Sequence, residues 1–402
     1  MASVVRYRDL WRTNRNFRLF FCGQLVSFLG DWFTTIALYS AVAELTNSAL
    51  ALTLVLVCKT SPVFLIAPIA GPIVDRVDRR RLLLMTDLGR GSLALIFIGL
   101  HQLGNLPAIY LCTIASTLLA GLAIPAKQAV LPRIVSASEY SAANALGGAS
   151  WAGMLTIGAA VGGTVTALLG IDASFVIDAA TFGVSAAFFY RLPPQRPPTD
   201  KSDDTNFVAA LRYLKRNPAL AGQACIKTCQ CLAGGVFALI PLFGGGLWHG
   251  YDGALWLGAL YAIRGLGTLV GTLWFRVLVR DNHSIMRLSL VAAFAGQVVV
   301  YWWLAHATTF ASACVFYSFS GLLQGLVWVF AGTLLQAGVD PKFHGRVFAL
   351  EFGAMTLTLA LSSMAAGAFV DAGLTPQATV LMMSPLPLIG VLVALYVYLA
   401  QR

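Results

Sequence analysis

The chain has 402 residues, of which 58% are hydrophobic and only 11% charged, with a formal net charge of +10. A soluble domain carries about a quarter charged residues, so apolar content spread along the whole length excludes a large water-soluble core and points to a polytopic membrane protein. The positive charge falls in short stretches between apolar runs, as membrane orientation requires, and this argues against nucleic acid as a partner.

Taken in order, Arg6, Arg8, Arg12, Arg15 and Arg18 form a basic amino-terminal segment. The first apolar run begins near Phe17 and is too long for a signal-peptide core, so no cleaved leader is expected. Spans are predicted at about 17–43, 49–74, 82–101, 106–127, 140–169 and 172–191. From Leu192 to Thr205 the chain turns Pro-, Asp- and Lys-rich, which reads as a linker. Phe207, Leu211 and Leu214 then recur at helical spacing beside Arg212, Lys215 and Arg216, predicting a short amphipathic helix on the membrane surface. Six more spans follow at about 218–243, 254–279, 284–305, 308–335, 344–370 and 376–400.

The expected architecture is all-α: twelve transmembrane helices in two six-helix bundles, 1–191 and 218–402, joined by a linker at 192–217. Alternating the loops places the loop Lys and Arg on one side, while Glu44, His101, Asp172, His249, Asp252, His306 and Asp371 occupy the other. By the positive-inside rule both termini are cytoplasmic. The halves also look repeated: Lys59 precedes Asp75 by the same interval that separates Arg264 from Arg280.

One loop concentrates the signal. Gly71-Pro72-Ile73-Val74-Asp75-Arg76-Val77-Asp78-Arg79-Arg80-Arg81 carries two acids and four arginines after a Gly-Pro expected to end the second span. It resembles the loop motif of the major facilitator superfamily, G-x-x-x-D-R-x-(G/D)-R-(R/K), at Gly71, Asp75, Arg76, Asp78, Arg79 and Arg80. Leu29-Gly30-Asp31-Trp32, Leu45-Thr46-Asn47-Ser48, Ser141-Ala142-Ala143-Asn144, Ile177-Asp178-Ala179-Ala180-Thr181-Phe182 and Gly345-Arg346-Val347-Phe348 are similar to the drug:proton antiporter branch that contains enterobactin exporters and macrolide efflux proteins. The resemblance implies alternating access between the halves, a central cavity lined by helices 1, 4, 7 and 10, and a cytoplasmic gate formed by the loop motif with Arg346. Two features depart from the antiporter pattern. Helix 4 has no Arg, and the helix 5 motif reads Gly158-Ala159-Ala160-Val161-Gly162-Gly163, with Ala for Pro.

Charges within spans are costly and mark function by default. Here they are Asp31, Lys59, Asp87, Arg90, Asp178, Lys227, Arg264 and Glu351. Asp31 and Lys59 reach similar depth on antiparallel helices and are predicted to face one another or share a polar pocket, either as a packing pair or as a site where substrate or proton competes for one partner. Glu351 is either a proton site or a gate ion-pair partner. Asp87 and Arg90, at i and i+3 near the inner face, read as a structural pair. Asp178, near the outer end of helix 6, reads as structural. Lys59, Lys227 and Arg264 would bias a cavity toward an anionic or polar-headed substrate, with Gln24, Trp32, Phe33, Gln230, Phe237, Gln324 and Trp328 as further lining.

Cys225 and Cys229 share a helical face near Cys231, but no His or third thiol stands at matching spacing, and no metal or cofactor is expected. No P-loop or Ser-His-Asp-like arrangement is present, so an enzyme is not expected. The expected function is proton-coupled efflux of a small amphipathic organic molecule by a monomer, through Asp31 or Glu351. The alternative is a uniporter or importer of an organic anion, or a lysolipid flippase.

Overall fold

In hydrocarbon no water is at hand for the backbone, so a long apolar run must satisfy its N–H and C=O groups internally. The computed structural model describes residues 7–136, 139–195, 207–246, 253–279, 282–340 and 343–401, and every regular element in them is an α-helix. In the first half these are α1 (Tyr7–Thr13), α2 (Arg15–Leu45), α3 (Ala49–Arg76), α4 (Arg79–Gln102), α5 (Leu106–Ile134), α6 (Tyr140–Leu169) and α7 (Ile171–Tyr190). After α8 (Phe207–Arg216) come α9 (Pro218–Leu232), α10 (Gly235–Ala238), α11 (Ile240–Gly246), α12 (Gly253–Val279), α13 (His283–Ala305), α14 (Phe310–Gly338), α15 (His344–Asp371), α16 (Pro376–Met383) and α17 (Pro387–Ala400). Among the described residues eleven stretches are long and apolar enough to cross a membrane, and the shorter apolar stretch Gly153–Leu169 of α6 is consistent with a twelfth.

Polar side chains start these helices. Asn14 accepts from the Phe17 amide at 2.9 Å, Asn105 from Ala108 at 3.1 Å, and Thr309 and Ser312 form a reciprocal capping box. Each satisfies N–H groups that the first helical turn leaves open.

The expected helices differ from the observed ones in four places. The basic amino-terminal segment contains a helix of its own, α1. Gly71-Pro72 does not end the second span: α3 runs through Pro62, Pro68 and Pro72 to Arg76. The seventh span is broken between α9 and α10 at Ala233-Gly234, where the Ser362 hydroxyl of α15 accepts from the Gly235 amide at 2.9 Å and donates to the Leu232 carbonyl at 2.6 Å. One side chain thus takes up both backbone groups freed by the break, the device by which irregular backbone survives at membrane depth. The last span is likewise broken into α16 and α17 at Ser384–Leu386, beside Pro385 and Pro387.

The chain forms two compact units, one comprising Met1–Thr46, Cys58–Lys201 and Asp252–Ala262, the other Asn47–Val57, Ser202–Tyr251 and Ile263–Arg402. In the first, Phe17, Phe20, Leu83, Val130 and Phe189 build a core cluster. Gly163 and Gly258 let α6 and α12 meet at their backbones: a Cβ on Gly163 would stand 2.8 Å from the Ala254 carbonyl oxygen. In the second unit, Ile226, Phe294, Val327 and Phe330 form the main cluster. There the Asp371 carboxylate accepts from the Ala49 and Leu50 amides at 2.7 and 3.2 Å and from the Ser48 hydroxyl at 2.6 Å, capping the start of α3.

Candidate functional site

The first unit gathers charge at mid-helix. Asp31 is central in α2, Arg90 in α4, and Lys59 and Asp178 lie within a turn or two of the centres of α3 and α7. The Arg90 guanidinium pairs with the Asp31 carboxylate and lies over the Phe182 ring at 4.4 Å. The Arg90 side chain is 8% exposed and that of Asp31 32%, so the cation is the more deeply enclosed of the two. Lys59 Nζ donates to Thr35 Oγ1 at 2.6 Å and to the Asp31 backbone carbonyl at 3.5 Å. Asp178, 1% exposed, accepts from the Thr34 hydroxyl. Asp87, fully buried, accepts from Ser185 Oγ at 2.5 Å. Lys127 lies between the Phe28 and Phe189 rings, at 5.1 and 5.9 Å.

Asp31 and Lys59 therefore share one polar pocket, as the sequence predicts, but the ion partner of Asp31 is Arg90. The expected Asp87–Arg90 pair is corrected on the same point. Adjacent faces of one helix let the two side chains diverge, Arg90 to α2 and Asp87 to Ser185 of α7, and both lie at depth and not at the inner face. By residue type the cluster holds three carboxyl groups, Asp31, Asp87 and Asp178, and three basic side chains, Lys59, Arg90 and Lys127.

The second unit holds two smaller clusters. Lys227 of α9 and Glu351 of α15 form an ion pair at 3.2 Å, with side chains 11% and 3% exposed, and Lys227 also lies 5.3 Å from the centre of a Trp328 ring. This joins Glu351, Lys227 and Trp328 in one place. Arg264 bonds Gln324 and lies over Phe237 at 4.1 Å. Gln230 is buried, and its side-chain oxygen accepts no hydrogen bond. Lys227 thus meets a carboxylate, and Arg264 a side-chain amide and a ring. In the first unit, Gln24 reaches Ser150 Oγ at 3.4 Å, and Trp32 packs on Tyr261 with ring centres 5.5 Å apart.

The charged loop is built as a joint. Asp78 caps α4, accepting from the Arg80 and Arg81 amides at 2.9 and 3.3 Å and from the Gln195 amide at 3.4 Å. Arg79 is buried, with its guanidinium 3.5 Å from the Ala129 carbonyl oxygen, and Arg80 covers the Tyr190 ring at 4.8 Å. Asp78 is thus engaged by backbone amides, Arg79 reaches a carbonyl, and Arg80 covers a ring. Arg76 is exposed, Gly71 has open space at its Cβ direction, and Arg346 lies 5.8 Å from the Phe343 ring. The Asp75 side chain, Lys342 and the Arg280-Asp281 turn lie outside the described residues.

The Major Facilitator Superfamily model matches residues 20–350. The chain belongs to the Major Facilitator Superfamily. It is 26% identical over 359 residues to the enterobactin exporter EntS of Citrobacter koseri, covering 84% of this chain and 81% of EntS. The uncharacterized MFS-type transporter YfiS of Bacillus subtilis is 27% identical over 221 residues, and the chain spans about half of its length, 52%. Among solved structures, the nucleoside transporter NupG shares the fold with a TM-score of 0.71 at 12% identity, over 96% of this chain and 99% of NupG.

This superfamily member is thus a multi-pass membrane transporter and not an enzyme. Sequence reasoning missed the hydroxyls that finish the charged pocket. Thr34 and Thr35 follow Asp31 at i+3 and i+4, on the same helix face, and that spacing inside an apolar run was the available signal.

Proposed function

We propose that this superfamily transporter exports a small amphipathic organic molecule, siderophore-like or drug-like, against a proton gradient by alternating access. The Asp31–Arg90 pair carries the reading. A partly exposed carboxylate at mid-helix holds a guanidinium from a neighbouring helix. Protonating Asp31 removes its charge, releases Arg90 toward Asp178 or Asp87, and makes the pocket cationic. A net charge at membrane depth is costly, so the protonated and deprotonated proteins favour different conformations. The Lys227–Glu351 pair offers a second proton site by the same logic.

The EntS relationship supports export and a siderophore-like class, and the Lys227 and Arg264 cations suit a substrate bearing acidic or electron-rich groups. The loop from Gly71 to Arg80, with Asp75 and Arg346, serves as the cytoplasmic gate in this reading. The basic loops and both termini face the cytoplasm across a cell (inner) membrane.

A thermal-shift screen of purified protein against catecholate siderophores, macrolides, lysolipids and organic anions tests the substrate class. The reading expects stabilisation by a siderophore or macrolide, with proton release on binding at fixed pH in weak buffer. Stabilisation by an organic anion with no proton release, lost in Lys59→Ala, would transfer the function to anion transport with Lys59 as counter-charge.

A further inference from the structure

An apolar groove of about 560 Å³ opens beside the amphipathic helix α8, walled by Leu214, Pro218 and Cys225 on one side and Leu392, Val393 and Tyr396 of α17 on the other. Leu392 is 66% exposed and Tyr396 49%, on a helix that belongs to a membrane span. In a bilayer that surface meets hydrocarbon, so whatever fills the groove is an apolar chain. The volume lies in the range of small-molecule pockets, roughly 300–1,000 Å³.

Among the described residues that line the groove, one carries a charge, Lys215. Arg212, Lys215 and Arg216 are all exposed on α8, and α8 contains no acid. The helix is fixed by its other face. Ala210 is buried in a cluster with Leu335, Val339 and Val347, and Tyr213 stacks on Phe343 with ring centres 4.4 Å apart. Asp340, whose amide bonds the Tyr213 hydroxyl, stands on that fixed face. Tyr213 and Lys215 are separated by roughly 200° around the helix at about 3.6 residues per turn. A cationic rim is therefore held rigidly over an apolar slot, at the point where the chain enters its seventh span.

We propose that this groove is a binding site for an anionic glycerophospholipid, with an acyl chain in the slot and the phosphate against Lys215, Arg212 and Arg216. A chain in the slot would fasten α8, and with it the segment joining the two halves of the sequence, to one leaflet. This site is independent of the proposed proton coupling.

Native mass spectrometry tests it, on full-length protein released from micelles containing equal amounts of phosphatidylglycerol and phosphatidylcholine. Wild type is expected to retain phosphatidylglycerol in preference to phosphatidylcholine. Arg212→Gln and Lys215→Gln should each reduce that preference roughly fivefold, the weight of one basic residue near an anionic lipid surface. Cys225→Trp fills the slot without altering charge, since Cys225 is exposed, and should abolish retention of either lipid; Leu392→Trp repeats the block from the facing helix. Equal retention of the two lipids by wild type, or undiminished phosphatidylglycerol on both folded tryptophan variants, would overturn the proposal.

Discussion

Asp31→Asn and Arg90→Gln, singly and together, show whether the mid-membrane pair is a coupled unit. Removing one partner of a buried ion pair costs about 3–5 kcal/mol because the other charge is left in low dielectric. Asp31→Asn strands a guanidinium that is 8% exposed but that still lies over the Phe182 ring. The expected loss is therefore near the lower end, about 3 kcal/mol. Arg90→Gln strands a carboxylate whose side chain is 32% exposed and whose own backbone carbonyl contacts Lys59. Its loss should be smaller, about 1–2 kcal/mol. The double variant leaves neither charge, so it should be more stable than the sum of the two losses predicts, by about 1–3 kcal/mol. Unfolding by SDS titration in mixed micelles, followed by tryptophan fluorescence, measures all four proteins. Additivity within about 0.5 kcal/mol would refute the pairing.

In the second unit, Lys227→Met strands Glu351 and should destabilise by about 3–5 kcal/mol, with much of the loss restored in Lys227→Met/Glu351→Leu; equal loss in both variants would dissolve that pair as an electrostatic unit. Ser362→Ala leaves the Gly235 amide and the Leu232 carbonyl without their side-chain partner, at about 1–3 kcal/mol, and hydrogen exchange should quicken at Gly235. Unchanged exchange there would show that the break in the seventh span is held by other contacts. Glu139, at the start of α6, accepts from the Ser136 amide at 2.8 Å, and this holds its carboxyl below the ordinary glutamate range. A lowered folded value adds stability above the unfolded value and loses it as pH falls through the folded one. Glu139→Gln should therefore be less stable than wild type at neutral pH and converge with it below about pH 4; a gap that widened on acidification would contradict the assignment.

The helices were legible because hydrocarbon length and loop charge leave few choices. Every span expected from the apolar runs falls on helix, the seventh and the last on more than one, and the expected amphipathic helix is α8 at Phe207–Arg216. The interruptions in the seventh and last spans were written as Gly234-Gly235 and as Pro385 and Pro387, yet hydropathy averages over such residues. Three prolines in α3 leave that helix unbroken, so proline alone does not separate the cases. The candidate site was legible in its residues and only partly in its pairing. Depth along a helix follows from counting, which put Asp31 and Lys59 in one pocket. Partner choice depends on rotation about the axis and on side-chain reach, which a single sequence does not carry. Arg90 was therefore matched to the acid on its own helix, when its longer reach takes it to α2. Ser362 was invisible for a related reason, since its role exists only where α15 passes the break between α9 and α10.

The central claim is that Asp31, through Arg90, couples transport to protons. Its direct test is transport of a labelled catecholate siderophore into proteoliposomes under an imposed pH gradient, with wild type and Asp31→Asn compared in both the presence and absence of the gradient. The account predicts gradient-driven accumulation by wild type that a protonophore abolishes, and gradient-independent exchange alone by Asp31→Asn. Full gradient-driven accumulation by Asp31→Asn, or wild-type transport indifferent to the protonophore, would contradict it.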